Sequence, residues 1–313
     1  MAIEHFRQLV LSSTTKVMGC VLLAMLPGVL ASLSVWGLGV LWNLAWGITL
    51  CVAVEFVCSL GKGIAHAKNN IGDLSAVVTG AILALCLPPF ASIYLLALAS
   101  LAAVGLTKHA YGGLGRNIFN PAMVGFAVIL VSFPETLTTW PSIGQVDGLT
   151  GATQLSDFRY REGMTVTEFD ITYESVISAQ SNVAILFALG GIGLIVLRII
   201  SWHIPVGCLI GLALASLFGY DQGSSLSHGS LVFHALSGGF AFAMFFVATD
   251  PITHPSATRD QIIFGIIIGL VTYLIRAYGV YPDGIAFAVL FANCFTAFLN
   301  RVRVYQLEAK GHV

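Results

Sequence analysis

Charge is what this sequence has least of. Only 9% of its 313 residues are Asp, Glu, Lys or Arg, while 57% are hydrophobic; a soluble globular domain carries about 25% charged residues. That shortage excludes a soluble domain and marks an integral membrane protein. Metal signatures are equally scarce. The six cysteines, Cys20, Cys51, Cys58, Cys86, Cys208 and Cys294, all fall in apolar runs without a CxxC pair, so they read as small buried hydrophobes and not as iron-sulfur or zinc ligands. No HxxxH or His-Cys spacing occurs, which argues against a metal site. Nucleotide-binding signatures are missing too: there is no P-loop, and Gly112, Gly113 and Gly115 have neither the spacing nor the preceding strand of a dinucleotide fold. A net charge of -1 offers nothing to nucleic acid.

Long apolar runs fill the chain. The first begins at Val17 and others follow at once, so it reads as a transmembrane helix and not as a cleaved signal peptide. With about 20 apolar residues per crossing, the runs predict about ten spans. Five begin near Val17, Leu38, Leu74, Ile93 and Pro121, and five more near Val183, Ile204, Leu231, Ile262 and Ile285. The expected fold is an all-α integral membrane protein with a first five-helix half over 1–133, a polar loop over 134–180 and a second five-helix half over 181–313. An odd number of spans in each half makes the second enter from the opposite side, an inverted repeat. The third span of the first half ends in Pro88-Pro89, and its counterpart carries Gly238-Gly239. Interrupted segments at matching positions point to broken helices around a site.

Loop charge sets the orientation. With the N-terminus inside, the inner segments hold Arg7, Lys16, Lys62, Lys68, Lys108, Arg116, Arg198, Arg259, Arg301, Arg303 and Lys310, and the outer ones only Arg159, Arg161 and Arg276. Eleven against three places both termini in the cytoplasm and the polar loop outside.

That loop contains Asp147-Gly148-Leu149-Thr150-Gly151-Ala152-Thr153. Asp-Gly alone makes a tight turn, and small neighbours leave the backbone open to an approaching enzyme. The pattern of Asp147, Thr150, Gly151, Ala152 and Thr153 resembles the acceptor sequence of flavin transferases, which attach FMN through its phosphate to the final threonine hydroxyl. In that case Thr153 is a tether without a redox role. A wider resemblance covers nearly the whole chain. GLGRNIFNPAMVGFAVILVSFP from Gly113, FFVATDPITHP from Phe245 and YPDGIAFAVLFAN from Tyr281 are similar to the family of Rnf complex D subunits and of B subunits of sodium-pumping NADH:quinone reductases. The arrival of the first span within the opening residues favours the D branch, since the B subunits carry a longer N-terminal extension.

This resemblance implies a bacterial inner-membrane subunit that relays electrons between ferredoxin and NAD, coupled to sodium or proton movement. It further implies covalent FMN on the outer loop, a second, non-covalent flavin (riboflavin), a flavin transferase for maturation, and neighbouring flavin and iron-sulfur subunits. Electrons would pass from the outer FMN through the bundle, and the redox change would bias the two halves between inner-open and outer-open arrangements. A small-solute transporter or channel is the competing class, but a permease has no need of the heptapeptide. One departure stands out: relatives tend to carry an acidic residue near the end of the last span, where this chain has Asn300.

Glu55, within the apolar second span, is the candidate for ion or proton coupling, because an ionisable group there is unfavourable by about 3 kcal/mol unless it functions or pairs. Its alternative is a carboxyl hydrogen-bonded to a neighbouring helix. Asp250 and His254 either cap and stop helices or line a flavin or docking site. Asp283-Gly284 reads as a turn. Arg116, with Asn120 beside it before the fifth span, serves either positive-inside anchoring or flavin binding.

Overall fold

The computed structural model describes residues 10–138, 140–141, 150–151, 153–161, 163–281 and 283–309. In chain order the helices are α1 (Thr14–Trp36), α2 (Gly39–Leu60), α3 (Ile64–Gly72), α4 (Ser75–Cys86), α5 (Ile93–Ser100), α6 (Pro121–Ser132) and α7 (Pro134–Thr138). They continue as α8 (Gln154–Arg159), α9 (Val166–Thr172), α10 (Glu174–Val196), α11 (His203–Gly219), α12 (Leu231–Leu236), α13 (Phe240–Phe246), α14 (Thr258–Tyr278) and α15 (Ile285–Ala309). The axis of α5 runs on as a π-helix, Leu101–His109. Among the described residues the only strand pairing is two residues long, Trp140–Pro141 against Thr150–Gly151. The protein is therefore an all-helical membrane protein.

Four helices, α1, α2, α10 and α14, are each long and apolar enough to cross a membrane; at 1.5 Å per residue they span about 30 Å, the thickness of the hydrocarbon core. A fifth candidate is α3 with α4, bent by 55° at Leu74, whose φ is +61°. Shorter apolar helices fill the rest: α5 with its π-helical continuation, α6, α11 and the apolar part of α15. In the second half the polar segment ends sooner than the apolar run suggests, because α10 already begins at Glu174.

Small residues let the helices meet closely, the usual device where lipid removes the hydrophobic drive between helices. Gly207 and Gly211 of α11 face Gly265 and Gly269 of α14 backbone to backbone; a methyl at Gly211 would run into the carbonyl of Ile266. Around these contacts a core built from both halves of the chain collects Met123, Phe187, Phe242, Phe246, Phe264 and Tyr273.

Candidate functional site

Two helix breaks, one from each half, face a single cavity of about 370 Å³. The first follows α4, where Leu87-Pro88-Pro89 leaves the helix. Freed carbonyls need partners in a membrane interior, and Asn43 of α2 supplies them. Its Nδ2 lies 3.3, 3.2 and 2.8 Å from the carbonyls of Ala84, Leu87 and Pro88, and its Oδ1 accepts from the Ala91 N–H at 3.0 Å. The second break separates α12 from α13 at Ser237-Gly238-Gly239, with Gly238 at φ +61°. Here Arg276 of α14 donates to the carbonyls of His234 (2.6 Å) and Ser237 (3.1 Å). Asp283 pairs with Arg276 at 3.1 Å and accepts from the Gly239 N–H at 2.9 Å. Asp283 therefore does more than make a turn: it completes the second break and lines the cavity.

Thr153 lines the same cavity. It caps α8, its hydroxyl oxygen accepting from the Ser156 N–H at 3.2 Å, so its position is fixed by a helix start. Next to it Gln154 is buried (2% exposed) and its Oε1 has no hydrogen-bond partner among the described residues. Aromatic rings wall the space: Trp36 and Trp140 in edge contact at 5.4 Å, with Phe126, Phe187, Phe242 and Tyr281 around them. Burial raises the pKa of the Asp157 carboxyl, also on the lining, from its ordinary value.

Of the remaining heptapeptide residues, Asp147, Gly148 and Ala152 lie outside the described residues, and Thr150 and Gly151 form the short strand against Trp140 and Pro141. Glu55 does not reach the cavity. It is fully buried near the far end of α2, where Lys108 Nζ donates to its Oε2 at 2.8 Å and His109 Nε2 lies 3.0 Å from Oε1, out of line for a hydrogen bond. Lys108 also donates to the Ser75 hydroxyl at 2.7 Å, and Ser75 in turn donates to Asp73. This corrects the expectation that Lys108 is a loop cation: the π-helical turn carries it into the bundle, where only a carboxylate can balance it. Asn120 caps α6 through Met123 N–H, and its own N–H donates to Asn293 of α15 at 3.0 Å. Arg116 is exposed in the preceding glycine turn. Asp250 organises the turn before α14, accepting from Ile252 N–H and the Thr253 hydroxyl, and His254 contacts the Pro255 carbonyl. Neither Asp250 nor His254 lines the cavity. Among the described residues no three His, Cys, Asp or Glu side chains are grouped to hold a metal.

Three residues of the site, Asn43, Gln154 and Trp140, stand outside the motifs of the sequence. Asn43 carries a usable signal, a polar side chain inside an apolar span; Gln154 and Trp140 carry none.

An all-helical membrane protein with a cavity between two helix breaks is the class defined so far. The chain belongs to the NQR2, RnfD, RnfE family, whose sequence model matches residues 5–306. It is 39% identical over 305 residues to the D subunit of the ion-translocating oxidoreductase complex of Pseudomonas aeruginosa (strain UCBPP-PA14), covering 90% of this chain and 87% of that one. The corresponding D subunit of Shewanella denitrificans is 36% identical over 336 residues, covering 93% and 94%, and that of Marinobacter nauticus 37% over 317 residues, covering 92% and 89%.

Proposed function

We propose that this chain is a multi-pass subunit of the bacterial inner membrane that works within an ion-translocating oxidoreductase complex and holds FMN, esterified to Thr153, in the cavity between the two helix breaks. The apolar helices, the family and the names of its relatives as D subunits of such a complex support the first part. The observation that carries the second is the position of Thr153, a hydroxyl fixed at a helix start and opening on an aromatic cavity.

The residues present fit a flavin. The volume is within the range of roughly 300–1,000 Å³ of small-molecule sites, flat aromatic walls suit a fused ring system, and the unpartnered Gln154 acceptor suits a ring N–H. Bound there, FMN supplies electron transfer. The protein's part is to position and insulate. Thr153 provides the ester oxygen; Trp36, Phe126, Phe187 and Phe242 exclude water; Asp283, held by Arg276 and the Gly239 N–H, sets a fixed negative charge at the rim.

The finer reading extends this. Counting the shorter helices and treating α3 with α4, and α12 with α13, as single broken spans gives about ten crossings in two inverted halves. Both termini then lie in the cytoplasm with the Thr153 segment outside. A non-covalent riboflavin, a flavin transferase, a second flavin subunit and iron-sulfur subunits complete the system, which moves sodium or protons as electrons pass. The pairing of Glu55 with Lys108 makes it a structural carboxyl first, and a coupling group only if that pair opens. The decisive experiment is a denaturing gel of the purified chain: fluorescence at the chain's own mass supports the covalent flavin, and a dark band with flavin found only in the supernatant overturns it.

A further inference from the structure

A second pocket of about 170 Å³ shares Leu155 of α8 with the first but is otherwise lined by different residues. Arg159, Arg161, His228, His234 and Arg276 line it, and none of the described lining residues is an acid. Two of these cations are already engaged. Arg161 donates to the carbonyls of Phe158 and Met164 and to those of the Ser224–Ser227 segment, and Arg276 is paired with Asp283. Arg159 differs: its Nη1 is buried and has no partner among the described residues. His234 is 2% exposed, and its Nε2 lies 2.7 Å from the His228 carbonyl. A carbonyl only accepts, so Nε2 carries the proton, and Nδ1, buried and likewise without a partner, is left as an acceptor. The pocket thus presents one unsatisfied guanidinium nitrogen, on an Arg159 whose head lies 5.6 Å from the Tyr160 ring centroid, and one unsatisfied imidazole lone pair. Buried groups in that state call for a ligand.

We propose that this pocket binds a phosphate ester carrying a free hydroxyl, the chemistry of a phosphoglycerol lipid headgroup. The oxyanion would take Arg159, which matches phosphate geometry better than any other side chain, and the hydroxyl would donate to His234 Nδ1. The surroundings suit a lipid. Residues close in sequence to the lining carry large exposed apolar side chains: Leu226 is 80% exposed and Val280 85%, and Tyr278, whose ring lies 4.8 Å from His228, is 63% exposed. A basic recess close to exposed apolar residues offers an anionic headgroup both a cation and a place for its acyl chains. Burial, reinforced by Arg161 and Arg159, pushes the His228 pKa down, in keeping with a local field that favours an anion.

The test uses the full chain, purified in neutral detergent. Its thermal transition is measured with inorganic phosphate against sulfate at equal ionic strength, and then in nanodiscs of phosphatidylglycerol against phosphatidylcholine, with native mass spectrometry to detect retained lipid. Stabilisation by phosphatidylglycerol, with a retained lipid, supports a lipid site. Stabilisation by phosphate over sulfate without a lipid effect supports the same chemistry with a free ion as its source. Arg159→Gln should weaken whichever ligand binds by about tenfold or more, Arg159→Lys less, and both should keep in-gel flavin fluorescence, so this site stands or falls apart from Thr153. No preference for phosphate over sulfate together with none for phosphatidylglycerol in the unaltered chain overturns the proposal, whatever the variants do; so does an undiminished preference in a folded Arg159→Gln.

Discussion

Lys108 and Glu55 meet at 2.8 Å inside the helix bundle, both at most 4% exposed at the side chain. A buried pair is unequal in its response to mutation, since removing one partner strands the other charge, at about 3–5 kcal/mol, while removing both is often close to neutral. Glu55→Gln and Lys108→Met should each lower thermal stability markedly, and the double variant should recover most of it. Ion uptake and electron flow measured together in sealed vesicles separate the roles: a stable double variant that transports normally would make the pair purely structural, whereas one that passes electrons without uptake would make Glu55 a coupling group.

Thr153 caps α8 and, in the proposed function, carries the flavin ester; substitutions can separate the two roles. Thr153→Ala should abolish in-gel flavin fluorescence and remove a helix cap worth about 1 kcal/mol. Thr153→Asn keeps an acceptor for the Ser156 N–H and should restore the stability but not the fluorescence. Wild-type fluorescence in either variant would move the ester elsewhere.

Asn43 gathers four hydrogen bonds at the first helix break. Asn43→Ala leaves buried carbonyls unpaired, each worth about 1–3 kcal/mol, and should loosen the wall of the cavity. The expected readout is a lowered unfolding temperature together with, if the proposed flavin occupies the cavity, increased quenching of its fluorescence by iodide. An unchanged unfolding temperature would mean that the break needs no clamp.

Sidedness is testable with single cysteines in a background where the six native ones are replaced. Tyr160 and Leu114 are both exposed. Tyr160→Cys should react with a membrane-impermeant maleimide in intact cells, and Leu114→Cys only after permeabilisation. The reverse pattern would turn the protein over and place the Thr153 segment in the cytoplasm.

His228 gives a pH signature. Burial, then Arg161 and Arg159, hold its pKa below the ordinary 6.5, with Asp221 pulling weakly the other way. A group whose pKa is depressed on folding adds stability above its unfolded value, and that stability is lost as pH falls through the folded one. In phosphate-free buffer the unfolding temperature should drop between about pH 7 and about pH 5, and less steeply in His228→Gln. Parallel curves would dismiss His228 as the source.

The sequence by itself determined the solvent, the helices and the place to look. Low charge and unbroken apolar runs leave no alternative to helices in lipid, because backbone groups there must bond within their own segment. Pro88-Pro89 and Gly238-Gly239 announced the two breaks, since neither pair sustains a helix. Only the tertiary structure decided what those breaks do. They face one cavity, with Thr153 opening between them. Asn43 closes one break and Arg276 with Asp283 the other, through contacts between residues 45 positions apart for Asn43 and Pro88 and 42 for Arg276 and His234, which no local pattern encodes. Lys108 is the sharpest case. Loop-charge counting placed it in an inner loop by its neighbours in sequence, but a buried carboxylate on another helix decided its fate, because a cation in the bundle is tolerable only where an opposite charge already waits.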